Sequence, residues 1–451
     1  MLEIIRQIIV QFFGLTWWLW AFIILWPLFS STWLYYRREK FKSEIKWVLL
    51  ELRIPREIRK SPRAMEQVLE ALHQLRNVAG NFREKWWDGE VTRWFSLEMV
   101  SLGGEVHMYI RCYHKQRNLV EAAFFAYYPD VEIMEVEDYT ERFPNDIREM
   151  YSQGYDVWGT EMVLKKEDAY PIRSYLEFES PDEDKQYDPA AAFLEVLAKL
   201  KPEEMVGIQI QIAPADSKNW VQKWKGLVES LSHKRAEGRG PAFGTLTEFP
   251  GGPLPAFAVA KKEGAQDPAF LRTFMRSPGE TDVLKAVENN LSKPAFDTLI
   301  RFVYLSPKSL FYDSFARRGL VGSFNQYGSL DLNGFIQNYA MSSRAQFWDW
   351  PHIFAKTRVE YRKQRLLYNY KRRKNPIDTF MGRLISSHFF NWNFYSRRVG
   401  MNTESLATLF HPPTFIVLTG PHIKRVESRK LGPPAGLAIY GDEGDLEKFQ
   451  G

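Results

Sequence analysis

Residues 94–113 read WFSLEMVSLGGEVHMYIRCY. The stretch divides at Gly103-Gly104 into two strand-like runs, Trp94–Leu102 and Glu105–Tyr113. A Gly-Gly pair between such runs supplies the backbone freedom that a two-residue hairpin turn requires. Upstream, WVLLELRI (Trp47–Ile54) places Val48, Leu50, Leu52 and Ile54 on one side at period two and stops at Pro55, as a strand does. An amphipathic helix is the alternative there, because Phe41, Ile45, Val48, Leu49 and Leu52 also fit a 3.6-residue period. Ser61-Pro62 then gives an N-cap with proline at the first helical position, followed by the stripe Met65, Val68, Leu69 and Leu72.

Downstream of the hairpin, Leu119, Ala122, Ala123 and Ala126 suit a second helix closed by Pro129. Val131, Ile133 and Val136 suit a last strand. The order β-α-β-β-α-β over residues 46–139 is the ferredoxin-like pattern. The fold class expected for the chain is α+β.

Beyond Tyr139 the pattern repeats more loosely, and residues 140–345 read as a second α/β region. Arg173–Glu179 is a strand candidate, and Asp188-Pro189 opens a helix with Phe193, Leu194, Leu197 and Leu200 on one face. Ile208, Ile210 and Ile212 alternate with Gln209 and Gln211, the pattern of a half-buried strand. Trp220, Trp224, Leu227 and Leu231 mark a helix, as do Val283, Leu284, Val287 and Leu291. The strand-like Phe296–Leu305 and a helix from Ser309 follow. Residues 233–255, with five glycines and four prolines, read as a loop or insertion.

The N-terminus carries a different signal. From Gln7 to Tyr36, after a short tail (1–6), 30 residues pass without a charge: QIIVQFFGLTWWLWAFIILWPLFSSTWLYY. Roughly 20 apolar residues span a bilayer as a helix. Trp33, Tyr35 and Tyr36 sit at the end of the run like an interfacial belt, and Pro27 lies where a membrane helix tolerates a kink. A cleaved signal sequence has a shorter apolar stretch that ends in small residues, so an uncleaved single-pass anchor is expected. Arg6 alone precedes the run, whereas Arg37, Arg38, Lys40, Lys42 and Lys46 follow it. The positive-inside rule therefore puts the body in the cytosol, at the inner membrane.

Composition excludes several classes. The chain has 451 residues, 45% hydrophobic and 25% charged, which rules out a disordered, collagen-like or small disulfide scaffold. A net charge of +5 does not demand nucleic acid, and the single cysteine, Cys112, fits a reducing compartment. No Gly-Lys dipeptide occurs, so there is no Walker A loop, and neither G-x-G-x-x-G after a strand nor H-E-x-x-H is present. His107 and His114 flank Cys112, but His107 and Cys112, five apart, point to opposite faces of one strand and make a poor metal site. Asp182, Glu183 and Asp184 read as a solvated loop before a helix. No catalytic, cofactor-binding or metal-ligating residue is expected, and no cofactor.

One stretch suggests a ligand. Residues 356–374, KTRVEYRKQRLLYNYKRRK, hold nine Lys/Arg against one glutamate, within a basic-aromatic segment taken as 346–400. Cations neutralise phosphates and tyrosines stack on bases, so Lys356, Arg358, Arg362, Lys363, Arg365, Tyr368, Tyr370, Lys371, Arg372, Arg373 and Lys374 are the candidate polyanion site. The same composition suits an anionic leaflet, or a basic face used inside a protein assembly.

Four strings carry a family resemblance: SPRAMEQVLEALHQL (61–75), SLEMVSLGGEVHMYIR (96–111), RNLVEAAFFAYYPDVEIMEVEDY (117–139) and MNTESLATLFHPP (401–413). Together they resemble the membrane-proximal N-terminal region of bacterial type IV secretion and conjugative coupling ATPase-like proteins. In that family an anchor and a domain of unknown function precede a RecA-like motor, and 401–451, with Pro433-Pro434, resembles the linker into it. The sequence stops at Gly451 before any nucleotide-binding loop, which leaves a stand-alone protein, a split gene or a truncated sequence open. The resemblance implies a non-catalytic, membrane-anchored component of a translocation machine, partnered by a separate RecA-like ATPase and other secretion subunits. The rival expectation is a membrane-tethered nucleic-acid-binding protein.

Overall fold

The uncharged N-terminal run folds as part of helix α1, Leu2–Glu44, which continues through Pro27 and into the basic flank as far as Glu44. The computed structural model describes residues 2–55, 60–179, 187–233, 278–311, 315–344, 352–387, 396–414 and 425–426. Among them α1 holds the one helix long and apolar enough to cross a membrane. Leu15, Trp17, Phe22 and Trp26 all project outward from it, with no part of the body against them.

The body is α+β, built on one large sheet. Strand β1 (Trp47–Pro55) is followed by α2 (Arg63–Gln74), the hairpin β2 (Phe95–Leu102) and β3 (Glu105–Tyr113), then α3 (Arg117–Tyr127) and β4 (Glu132–Val136). Gly103 and Gly104 take positive φ values of 63° and 92°, which a residue with a Cβ would adopt only with strain. The strands pair antiparallel in the order β4-β1-β3-β2. Helix α2 starts one residue later than Pro62 suggests, and the Arg63 amide donates to Ser61 Oγ (3.2 Å).

The chain then continues through α4 (Ile147–Ser152), β5 (Tyr155–Leu164), α5 (Ala191–Ala198), β6 (Met205–Pro214), α6 (Ser217–His233), α7 (Pro278–Ser292), β7 (Ala295–Pro307), α8 (Phe315–Asn325) and β8 (Phe335–Gln337). These strands pair in the order β8-β5-β7-β6, again antiparallel. Each half thus has a helix between its first and second strands and another between its third and fourth, with its fourth strand beside its first and its third between first and second. The halves join at their second strands: β2 and β6 pair antiparallel from Phe95↔Ile212 to Leu102↔Met205. Where the first half turns at Gly103-Gly104, the second goes through α6 and α7. The remaining elements are α9 (Ala355–Lys371), α10 (Phe380–Ser386), β9 (Val399–Asn402), α11 (Thr403–Leu409) and β10 (Arg425–Val426).

Side-chain alternation gives the sheet two buried faces. On one, Leu50, Leu97, Ile110, Ile210 and Phe302 form a single core with Leu69 of α2, Phe124 of α3, Leu197 of α5, Phe324 of α8 and Leu406 of α11. That core crosses the seam between the halves. On the other face Leu49, Val100, Val157 and Val303 meet Met150 of α4 and Leu366, Leu367 and Tyr370 of α9.

Several expectations change. Strands and helices from both 46–139 and 140–345 contribute to one sheet and one core. Arg173–Glu179 holds a 3-10 turn (Tyr175–Glu177) instead of a strand, because Ser174 caps it by accepting from the Leu176 amide (3.3 Å). The helix expected from Ser309 begins at Phe315; Leu310 and Phe311 first turn back onto the Pro307 carbonyl. Gln209 and Gln211 do not face solvent; both are buried, since α9 and its continuation cover their side of the sheet. Of the segment 401–451, expected as a linker, residues 401–414 complete β9 against β7 and form α11 in the core, with Met401, Leu406 and Phe410 buried. The insertion (233–255, apart from His233), the acidic run 182–184 and Pro433-Pro434 lie outside the described residues.

Candidate functional site

Register places six polar side chains in one line across the covered sheet face. Glu51 sits opposite Tyr109, Tyr109 opposite Glu98, Glu98 opposite Gln209, Gln209 opposite Arg301 and Arg301 opposite Glu161. All six are buried, the last four completely. In five of the six strands the polar residue stands between apolar neighbours, as in LIRFV around Arg301, whereas Glu161 follows Thr160.

Buried charge must be paired and hydrogen-bonded to persist, and the pairing here comes from α9 and the turn after it. Arg373, 0% exposed, forms a fork on Glu98, with Nε to Oε1 at 2.9 Å and Nη2 to Oε2 at 3.0 Å. Its Nη1 bonds Asp138. Ser96 Oγ and Tyr139 OH also donate to Glu98, at 2.6 and 2.7 Å, and Tyr139 OH meets Tyr370 OH at 2.7 Å. Arg301 donates to Glu161 (2.9 Å) and to the Asn369 carbonyl (3.0 Å), while Ser396 Oγ donates to Glu161 as well (2.8 Å). Gln209 donates to the Tyr370 carbonyl (3.1 Å). At the end of the row His107 meets Glu51 at 2.7 Å.

Charge states follow. Burial disfavours the Arg373 cation, but Glu98, Tyr139 and Asp138 outweigh it and hold its pKa well above the usual arginine value. Burial would raise Asp138; Arg373 and the Thr140 amide prevail and hold it below the carboxylate range. Burial, then the like charge of Arg373, brings Arg111 down to about 10. A second buried cluster lies in the helix-side core. Asp188 accepts from the Thr414 amide (2.8 Å), Thr414 Oγ1 (2.9 Å) and the Ala190 amide (2.7 Å), and it faces His411 Nε2 at 2.9 Å. Both clusters are closed, and their carboxylates are occupied by internal donors. Chemically they lock elements together.

The candidate polyanion residues are divided by this arrangement. Arg358, Lys363, Tyr370 and Arg373 are buried, so Tyr370 presents no ring face to a ligand. Lys363 pairs with Asp156 (2.7 Å), Lys374 with Glu39 of α1 (3.5 Å), Arg365 donates to the Ser386 carbonyl (2.9 Å) and Lys371 bonds the Phe143 carbonyl. Lys356, Tyr368 and Arg372 are exposed. Arg362 donates to the carbonyl of Arg344 (2.7 Å), and Arg344 lines a cleft of about 500 Å³ with Trp158, Arg317 and Arg318. Among the described residues no acidic side chain lines that cleft. Cys112 and His107 fall on opposite faces, as their spacing predicts: Cys112 in the helix-side core, where burial raises its thiol to about 12, and His107 stacked on Tyr109. Among the described residues no cluster of His, Cys, Asp or Glu could hold a metal ion.

The DUF8128 family, a domain of unknown function, matches residues 34–415. The chain belongs to the DUF8128 family. No curated protein matches it. The DUF8128 match begins in the last turns of α1 and ends just after α11, so it takes in the whole sheet apart from β10.

Sequence reading missed the polar row. A signal existed: a lone Arg301 inside the apolar run Phe296–Leu305 demands a buried carboxylate partner. It missed strand β5 altogether, because Gly159, Thr160 and Glu161 interrupt its apolar pattern.

Proposed function

We propose that the protein is a single-pass inner-membrane component whose cytosolic body is a non-catalytic docking platform. Its proposed setting is a type IV secretion or conjugation-like translocation machine, where it recruits a separate RecA-like ATPase. The machine and the partner rest on the resemblance of residues 61–139 and 401–434. The observation that carries the membrane part is α1: its apolar side chains stand clear of the body, while its basic end is tied to the body through Lys374–Glu39 and Arg38–Asp378 (3.7 Å). The docking role is supported by the two buried polar clusters, whose carboxylates are occupied by internal donors. We further read each half as a ferredoxin-like unit, on the orders β4-β1-β3-β2 and β8-β5-β7-β6. Such units commonly serve as scaffolds whose function lies in attached surfaces.

Topology supplies the test. Alkaline phosphatase fused after Glu179 should be inactive in cells and a green fluorescent fusion there should glow; an active phosphatase would overturn the orientation. Co-purification of a RecA-like ATPase with the full-length protein from its native membrane would support the docking role.

A second reading, nucleic-acid binding, is favoured by one feature: the cleft at Arg317, Arg318 and Arg344, next to Arg362 of α9 and without an acid among its described lining residues. Replacing Arg317 and Arg318 with glutamate should abolish single-stranded DNA binding if that reading holds. The binding itself should weaken steeply with salt.

A further inference from the structure

Helix α1 does not leave the body alone; two short helical segments clasp it where its uncharged run ends. On one side the π-helical turn Glu84–Asp88 packs against it: Trp33 Nε1 donates to the Trp86 carbonyl (2.8 Å), and the Trp33 and Trp87 rings lie 5.7 Å apart. On the other side α10 packs against it, with the Met381 amide donating to Ser31 Oγ (3.1 Å). Gly382 is required by this approach, since a Cβ there would lie 2.4 Å from the Tyr35 ring. The clasp therefore meets α1 between Ser31 and Arg37, at the depth of the aromatic belt.

The outer surfaces of the clasp carry large exposed apolar side chains. Phe82 is 77% exposed, Trp87 62%, Phe380 57% and Ile385 54%, with Leu384 beside them. These are large side chains on or beside segments only five to seven residues long, and clustered exposed apolar side chains mark an interaction site. Arg83, Lys85 and Arg383 alternate with them along the same segments. Aromatic and aliphatic side chains interleaved with cations are the composition of a surface that lies in the headgroup region of a membrane.

We infer that residues 82–87 and 380–385 form a collar around α1 that inserts into the cytosolic leaflet, with Phe82, Trp87, Phe380, Leu384 and Ile385 at the headgroup–acyl boundary and the exposed Arg83 and Lys85 on anionic lipid headgroups. This rests on the proposal that α1 spans the bilayer. Continuity argues for lipid as the occupant: the exposed face of the collar extends the exposed face of α1 at the level where the first charges, Arg37 and Arg38, begin.

The full-length protein in phosphatidylcholine–phosphatidylglycerol vesicles allows a depth measurement with spin labels. The native Cys112 is buried and stays unlabelled, so Ile23→Cys, Phe82→Cys, Leu384→Cys and Glu105→Cys each carry one label. Glu105 begins β3 at the end remote from Trp47↔Tyr113, where α1 enters the sheet. The labels at Phe82 and Leu384 should collide with oxygen in preference to a water-soluble nickel chelate, like Ile23 and opposite to Glu105. Nickel-dominated collisions at Phe82 and Leu384, with Ile23 still oxygen-dominated, would overturn the collar and leave the anchor standing. Shielding of both collar sites from both reagents would mean that protein covers them, and would overturn it equally. Nickel access at Ile23 would remove the anchor and the collar together.

Discussion

Arg373 and Glu98 are separated by 275 residues and meet with no exposure to solvent. Removing one partner strands a charge in the interior, which typically costs about 3–5 kcal/mol, whereas removing both with apolar or neutral groups of like volume is far milder. Arg373→Met should therefore lower the urea midpoint sharply, and Glu98→Gln added to it should recover much of the loss. A double-mutant cycle measures this directly. Acid should act through the depressed carboxyls. Burial would raise Asp188, but His411 and the amides of Thr414 and Ala190 hold it low, as Arg373 and Thr140 hold Asp138. Their stabilisation is complete above the ordinary carboxylate value of about 4 and is lost as pH falls through the lower folded values. Burial also depresses His73, so stability declines from about pH 6.5 downward as the unfolded chain binds the proton first. Asp188→Asn should weaken the protein at neutral pH and flatten the acid limb of its stability curve. An unchanged limb in thermal melts from pH 7 to pH 3 would contradict this.

Helix α9 shows where sequence stops short. Its composition, nine cations and three tyrosines through Lys374, reads as a surface. Lys363, Tyr370 and Arg373 instead turn onto a sheet face whose own strands supply Asp156 and Glu98 as partners. Tyr370→Ala should therefore remove a fully buried ring and cost about 3–5 kcal/mol of stability. The exposed Tyr368→Ala should shift it by no more than about 0.5 kcal/mol. Chemical denaturation of both variants distinguishes the two roles; equal small effects would return α9 to the surface. The strands β1, β2, β3, β6 and β7 were legible because their apolar residues alternate or run together. The covered face was not, because Gln209 and Gln211 have the spacing of solvent-facing residues. Gln209 is met by a helix residue 161 positions further on, and no local pattern reports such a partner.

At the scale of the molecule, the seam between β2 and β6 decides how the halves behave apart. A fragment ending at Tyr139 exposes the full length of β2 as an edge, with Leu97 and Met99 on one face and Val100 on the other, the condition under which edges pair with other chains. Residues 46–139 alone should self-associate. The intact protein, whose helix-side core crosses the seam, should unfold in one transition. A monomeric fragment with its own cooperative melt would show instead that the seam is a contact between independent units.

The union of α1 with the body has a mechanical consequence. At 43 residues α1 is about 65 Å long, and its last turns are fixed by Ser31, Trp33, Arg38 and Glu39, with β1 starting three residues after Glu44. A domain on a slack tether sweeps a hemisphere and greets partners at every azimuth. This one has no swivel. With α1 in a bilayer, as proposed, the sheet keeps a set bearing to the membrane plane. Any rotation of α1 about its axis is then cranked directly into rotation of the whole cytosolic body.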